Sequence, residues 1–249
     1  MNTTTKLSVL MAGNGSMKKY ISEEITKQEN MEIVMIIDHT NMHTLSELTI
    51  PIDIVIDFSH PSYLEWLYPF LYKYQIPYIC GTTGYTKHQL EMIESLSHYI
   101  PIMKQANFSL GITAIQEILH HLLSMLGNQY DIEIIEKHHK HKKDAPSGTA
   151  KMFASIIKEN LQEFEKYDKT GLQENNQKEV NIHSIRGGNI VGEHSIYFFG
   201  NGESIEIRHT ALSREIFANG AIQAINFLIR KEPGLYQMKD MLGENNEYK

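Results

Sequence analysis

The chain has 249 residues, 41% of them hydrophobic and 21% charged, which excludes a fibrous or disordered protein and suffices for one large domain or two smaller ones. Its formal net charge of −7 argues against broad nucleic-acid binding, so a basic cluster here is a local island suited to a small anion. The single cysteine, Cys80, excludes an intrachain disulfide and fits a reducing cytoplasm. Met1 to Lys6 lacks the apolar region and cleavage site of a signal peptide, and no apolar run is long enough to span a bilayer. A cytoplasmic protein with no membrane and no nucleic-acid partner is expected.

Leu7 to Ala12 is a short apolar run that breaks at Gly13-Asn14-Gly15-Ser16-Met17, and Lys18 to Lys27 then has the spacing of an amphipathic helix. Strand, glycine turn, helix is the phosphate-cradling order of a dinucleotide fold. Lys18 stands where a third glycine would allow close helix-to-strand packing, so the turn alone is compatible with an ordinary loop. A second strand, Glu32 to Ile37, ends at Asp38, about twenty residues beyond the glycines, where an acid holds the adenosine ribose hydroxyls.

The pattern then repeats. Ile52 to Asp57 reads as a strand, Tyr63 to Tyr74 as a helix, Ile76 to Cys80 as a strand, Lys87 to Ser97 as a helix and Ile100 to Met103 as a strand. Such alternation predicts a parallel, doubly wound sheet, with ligand loops beyond the carboxyl ends of its strands. Asp57-Phe58-Ser59-His60-Pro61 and Gly81-Thr82-Thr83-Gly84 are two such loops.

After Asn107-Phe108-Ser109-Leu110-Gly111 the pattern changes in kind. Ile112 to Leu126 has helical spacing, and Asp131 to Glu136 alternates like a half-buried strand. Gln162 to Glu179 is polar and reads as an exposed, mobile connection. Val180 to Arg186, His194 to Phe199 and Glu203 to Thr210 are extended segments joined by glycine turns, which predicts an antiparallel or mixed sheet in a second domain. Phe217 to Lys231 is an amphipathic helix closed by Pro233-Gly234.

Between strand and helix lies the densest chemistry, E-K-H-H-K-H-K-K-D-A-P-S-G-T-A from Glu136 to Ala150. Pro146 bars an earlier helix start, and Ser147 can cap a helix opening near Gly148. Free N–H groups at that start suit a carboxylate or phosphate. Histidine and lysine beside it are credible proton donors and acceptors. A solvated basic face and a metal site of His138, His139 and His141 remain alternatives, although no fourth ligand stands at a characteristic spacing and no metal is expected.

These motifs, together with I-D-F-S-H-P, G-T-T-G, A-N-F-S-L-G, I-R-G-G-N-I-V-G-E-H and F-A-N-G-A, resemble the 4-hydroxy-tetrahydrodipicolinate reductase (dihydrodipicolinate reductase) family over nearly the whole chain. The resemblance implies an α/β protein with a Rossmann-like dinucleotide-binding domain, 1–108 and 215–249. It also implies an α+β substrate and tetramerisation domain with a mixed sheet, 109–214. The implied activity is NAD(P)H-dependent reduction of 4-hydroxy-tetrahydrodipicolinate in diaminopimelate and lysine biosynthesis, by a homotetramer acting on a cyclic dicarboxylate. A dehydrogenase of another amino-dicarboxylate and a non-catalytic nucleotide sensor are the alternatives.

By resemblance, His138 is the acid/base histidine and Lys142 the proton donor, while His139, Gly148 and Thr149 hold substrate carboxylates and His141 has neither role. NADH or NADPH would lie on Gly13, Asn14, Gly15, Ser16, Met17, Asp38, Gly81, Thr82, Thr83, Gln105, Ala106, Asn107 and Phe108. His39 stands where some members carry an arginine for a 2′-phosphate. Asp38 therefore favours NADH while Lys18 and Lys19 compensate, and use of both nucleotides is expected.

Overall fold

The structure is a computed structural model and describes residues 6–161 and 180–242. The connection expected over Gln162 to Glu179 lies outside the described residues. The chain divides into two compact units, Met1–Leu110 with Arg214–Lys249, and Gly111–Ser213.

The first unit is built on a parallel six-stranded sheet. Its strands are β1 (Leu7–Ala12), β2 (Met31–Ile37), β3 (Ile54–Asp57), β4 (Tyr78–Cys80), β5 (Pro101–Lys104) and β10 (Gly234–Tyr236). Their order is β10-β5-β4-β3-β1-β2, and every pairing is parallel. Helices α1 (Met17–Thr26), α2 (Leu64–Tyr74), α3 (Lys87–Ser97) and α6 (Glu215–Leu228) complete it.

Period-two alternation sends Val9, Met11, Ile54, Ile56 and Ile79 into one core with residues of α1 and α6. Leu10, Ala12, Val55, Tyr78 and Cys80 enter a second core with α2 and α3. Both faces are covered, which is why the strands read as unbroken apolar runs. The expected doubly wound sheet is therefore present. The strand β10 was not expected: three residues carry no periodicity, and G-L-Y becomes a strand only by pairing Gly234, Leu235 and Tyr236 with Pro101, Ile102 and Met103.

The second unit has a four-stranded sheet, ordered β7-β6-β8-β9. These are β6 (Asp131–His138), β7 (Asn181–Arg186), β8 (Gly192–Gly200) and β9 (Glu203–Ala211), with helices α4 (Leu110–Leu126) and α5 (Gly148–Asn160). β7 runs parallel to β6, whereas β8 and β9 are antiparallel neighbours, so the sheet is mixed. Ile132 and Ile134 of β6 and Ile196 and Phe198 of β8 pack with Leu119, Phe153 and Ile157 into one core. Burying a side chain such as Phe153 (0% exposed) is worth about 1.5–3 kcal/mol, so this face holds the helices firmly on the sheet. Among the described residues, no helix is long and apolar enough to cross a membrane.

Candidate active site

The expected nucleotide residues all follow carboxyl ends of strands in the first unit. Gly13 leaves β1 at φ +114°, and a Cβ there would stand 2.7 Å from the Phe58 carbonyl oxygen, so this position requires glycine. α1 opens at Met17 with Ser16 beside it and no side-chain cap. Its first N–H groups consequently lack a side-chain acceptor and suit a phosphate. Asn14, Gly15 and Ser16 are exposed around this start. Lys18, in the position of the missing third glycine, donates from Nζ to Asn14 Oδ1 at 3.1 Å.

Asp38 follows β2 and accepts from Thr40 N at 2.8 Å and from the Thr40 hydroxyl at 2.5 Å. The Thr40 hydroxyl above all holds its carboxyl below the usual range, so it is ionised and acts purely as an acceptor. That suits a ribose diol. Gly81 to Thr83 follow β4, with Thr83 exposed but Thr82 buried. The Thr82 hydroxyl turns inward, donating to Asp57 Oδ1 at 3.0 Å. Gln105 to Phe108 follow β5, and Phe108 is 1% exposed with its ring 5.1 Å from Phe58, so its side chain belongs to the core. Gln105 and Asn107 are half-buried and Ala106 is exposed. This uncapped start, glycine cradle and ionised acid fit a dinucleotide.

In the second unit, β6 aims its buried face at α5. Ile132, Ile134, Glu136 and His138 occupy that face because side chains two apart point the same way. Glu136 is wholly buried and accepts from Arg186 Nη1 at 2.9 Å and Nη2 at 2.6 Å. Burial pushes its carboxyl up, but the Arg186 guanidinium and further hydrogen bonds outweigh this and hold it below the usual range. Its Oε2 also accepts from His138 Nδ1. Because an ionised carboxylate can only accept, Nδ1 carries the proton and Nε2 is left with its lone pair.

Burial lowers the pKa of His138 against the opposing pull of Glu136, and the charges of Lys142 and Arg186 lower it further. The imidazole is thus neutral at neutral pH. Gly192 packs beside it, where a Cβ would stand 3.2 Å from Nε2.

Ser147 links this pair to the helix. Its N–H donates to Glu136 Oε1 at 3.3 Å, and its Oγ accepts from Ala150 N at 3.3 Å as the cap of α5. Oγ also lies 3.0 Å from His194 Nε2. His194 is 6% exposed, meets His138 edge-on at 5.2 Å, and is pushed down to about 4, chiefly by burial. Gly148 is exposed and Thr149 half-buried at the helix start. The Lys142 ammonium is paired with Asp144 at 2.9 Å.

The histidine run does not converge on one point. His138 is buried, His139 half-buried and His141 exposed, with the last two rings 6.3 Å apart. Donor atoms of Glu136, His138 and His194 do lie within 4.8 Å of one another. The Arg186 guanidinium on both Glu136 oxygens already balances that carboxylate and opposes a cation. Glu136, Arg186 and His194 were missed in the sequence. Period-two counting from Ile132 would have found Glu136, whereas Arg186 and His194 arrive by register, Arg186 opposite His138 and His194 opposite Glu136.

A glycine-turn parallel sheet in one unit, and a carboxylate-held imidazole at a helix start in the other, define a nucleotide-dependent enzyme acting on a small anion. Residues 7–108 match the family model described as dihydrodipicolinate reductase, N-terminus, and residues 111–242 the model for its C-terminus. The chain belongs to the dihydrodipicolinate reductase family, and is an NAD(P)H-dependent oxidoreductase. It is 41% identical to a 4-hydroxy-tetrahydrodipicolinate reductase of Clostridium novyi (strain NT), over 96% of this chain and 99% of that one. It is also 41% identical to one of Clostridium tetani (strain Massachusetts / E88), over 94% and 96%. A dipicolinate-bound dihydrodipicolinate reductase from Paenisporosarcina sp. TG-14 shares the fold, with a TM-score of 0.77 and 23% identity over 96% of this chain and 100% of that chain.

Proposed function

We propose that this protein reduces 4-hydroxy-tetrahydrodipicolinate to tetrahydrodipicolinate with loss of water, a step of diaminopimelate and lysine biosynthesis in the cytoplasm. The observation that carries the reading is the Glu136–His138 pair set against the capped start of α5, within a chain of this family. NADH or NADPH, when bound, supplies the hydride.

Gly13 to Met17, Asp38, Gly81 to Thr83 and Gln105 to Phe108 bind the nucleotide, with Thr82 and Phe108 contributing through backbone. The α5 start at Gly148 and Thr149, with His139, receives the substrate carboxylates. Its amides and the nearby cations stabilise electron density developing on the ring. Lys142 donates the proton that completes reduction. His138, neutral and oriented by Glu136, presents Nε2 as an acceptor that orients the reacting group and relays a proton.

Four copies assemble through the sheet face that α4 and α5 leave open, where Ile185 and Phe199 are 45% and 44% exposed and Tyr197 stacks on Phe199. Light scattering on the purified protein tests that assembly.

The reaction is tested by coupling the protein to the upstream synthase and following oxidation of NADH and NADPH in parallel. Replacing both His138 and Lys142 by alanine abolishes turnover while nucleotide binding persists. Near-normal turnover of that double variant would sink the assignment.

A further inference from the structure

Asp57 ends β3 in the middle of the six-stranded sheet, in register with Ala12 on one side and Cys80 on the other. The next residues of those neighbours, Gly13 and Gly81, open the two glycine loops. Its side chain is completely buried. The donors to it are neutral, and a carboxylate in such surroundings is costly to bury, so packing stability does not account for it.

The arrangement of those donors does. Oδ1 accepts from the Ser59 N–H at 2.9 Å, from the Thr82 hydroxyl at 3.0 Å and from the Ser59 hydroxyl. The Ser59 N–H is shared with Thr82 Oγ1, 2.9 Å away. Oδ2 accepts from the Tyr78 hydroxyl at 2.6 Å, which anchors the carboxylate to β4. One side chain therefore ties the loop after β3 to the loop after β4.

Phe58 lies inside this knot. Its carbonyl oxygen occupies the space of a Cβ on Gly13, at 2.7 Å, and its ring the space of a Cβ on Gly81. Both glycine loops rest on Phe58, so any movement of Phe58 and Ser59 shifts the floor beneath both.

We propose that Asp57 is the positioning residue of the nucleotide site: it holds Phe58 and Ser59 so that the glycine loops keep the spacing the dinucleotide needs. The inference rests on the reading that Gly13–Met17 and Gly81–Thr83 hold the nucleotide. It also explains why the Thr82 hydroxyl faces inward, since it serves the site by fixing its own loop.

The test is the Kd for NADH, from nucleotide fluorescence on the intact protein, with kcat at saturating NADH measured beside it. Asp57→Ala frees the Ser59 and Thr82 donors and raises Kd by about tenfold or more, while kcat stays within about threefold. Asp57→Asn returns Kd to within about threefold of the parent, because its amide oxygen accepts from Ser59 and Thr82 while the Tyr78 hydroxyl turns to accept from its amide nitrogen. A folded Asp57→Ala protein with unchanged Kd overturns the proposal, as does one that loses kcat alone. If Asp57→Ala does not fold, Thr82→Val severs the same link with the carboxylate in place. A tenfold weaker Kd then upholds the proposal and an unchanged one overturns it. Failure of the parent protein to bind NADH or NADPH removes the nucleotide reading itself, and with it this inference.

Discussion

Acid destabilises this protein through His194. In the fold its pKa falls from 6.5 to about 4, chiefly because burial disfavours the charged ring. The unfolded chain therefore binds this proton first as pH falls, and stability declines between about pH 6.5 and pH 4, whereas above pH 6.5 the ring is neutral in both states. At about 1.4 kcal/mol per pH unit, the loss comes to roughly 3 kcal/mol, a substantial part of the 5–15 kcal/mol typical of a folded domain. Urea unfolding of the parent and of His194→Gln, at pH 7, 6, 5 and 4, measures it. Glutamine keeps a polar partner for Ser147 and does not titrate, so the two stability curves converge by about 3 kcal/mol on acidification. His138 and His209 are also lowered, mainly by burial, and both proteins carry them, so the comparison reads His194 together with its repulsion from those two rings. Curves that stay parallel down to pH 4 would refute the claim that the fold holds His194 neutral.

Two further outcomes follow from the same cluster. Arg186→Met leaves Glu136 buried without its cation and costs about 3–5 kcal/mol, read as a lowered Tm. Gly192→Ala sets a methyl group 3.2 Å from His138 Nε2, so the ring has to give by a few tenths of an ångström, and lowers kcat by about tenfold, checked by steady-state kinetics.

Much of this molecule is written locally. The alternation of strands and helices from Leu7 to Lys104 follows from apolar period and glycine breaks, because the inner strands must bury both faces and each helix one. The opening of α5 at Gly148 is equally local, since the Ser147 side chain reaches an N–H only three residues on. The turn at Gly13 is visible as a glycine, though the Phe58 carbonyl that makes a side chain impossible there is not.

Tertiary structure decided what the histidines are. Glu136 looked like one more polar residue in an alternating strand, and became the partner of His138 because β6 turns that face toward α5. Arg186 and His194 lie far along the chain, and only the parallel register of β7 and the antiparallel register of β8 bring them beside His138 and Glu136. The same holds for β10, too short for any pattern of its own, and for Asp57, whose donors come from two neighbouring strand ends. Hydrophobic period and capping act within a few residues and can be read in one dimension. The electrostatic state of a buried group depends on which distant residues sheet register places against it, and the chain settles that only by folding.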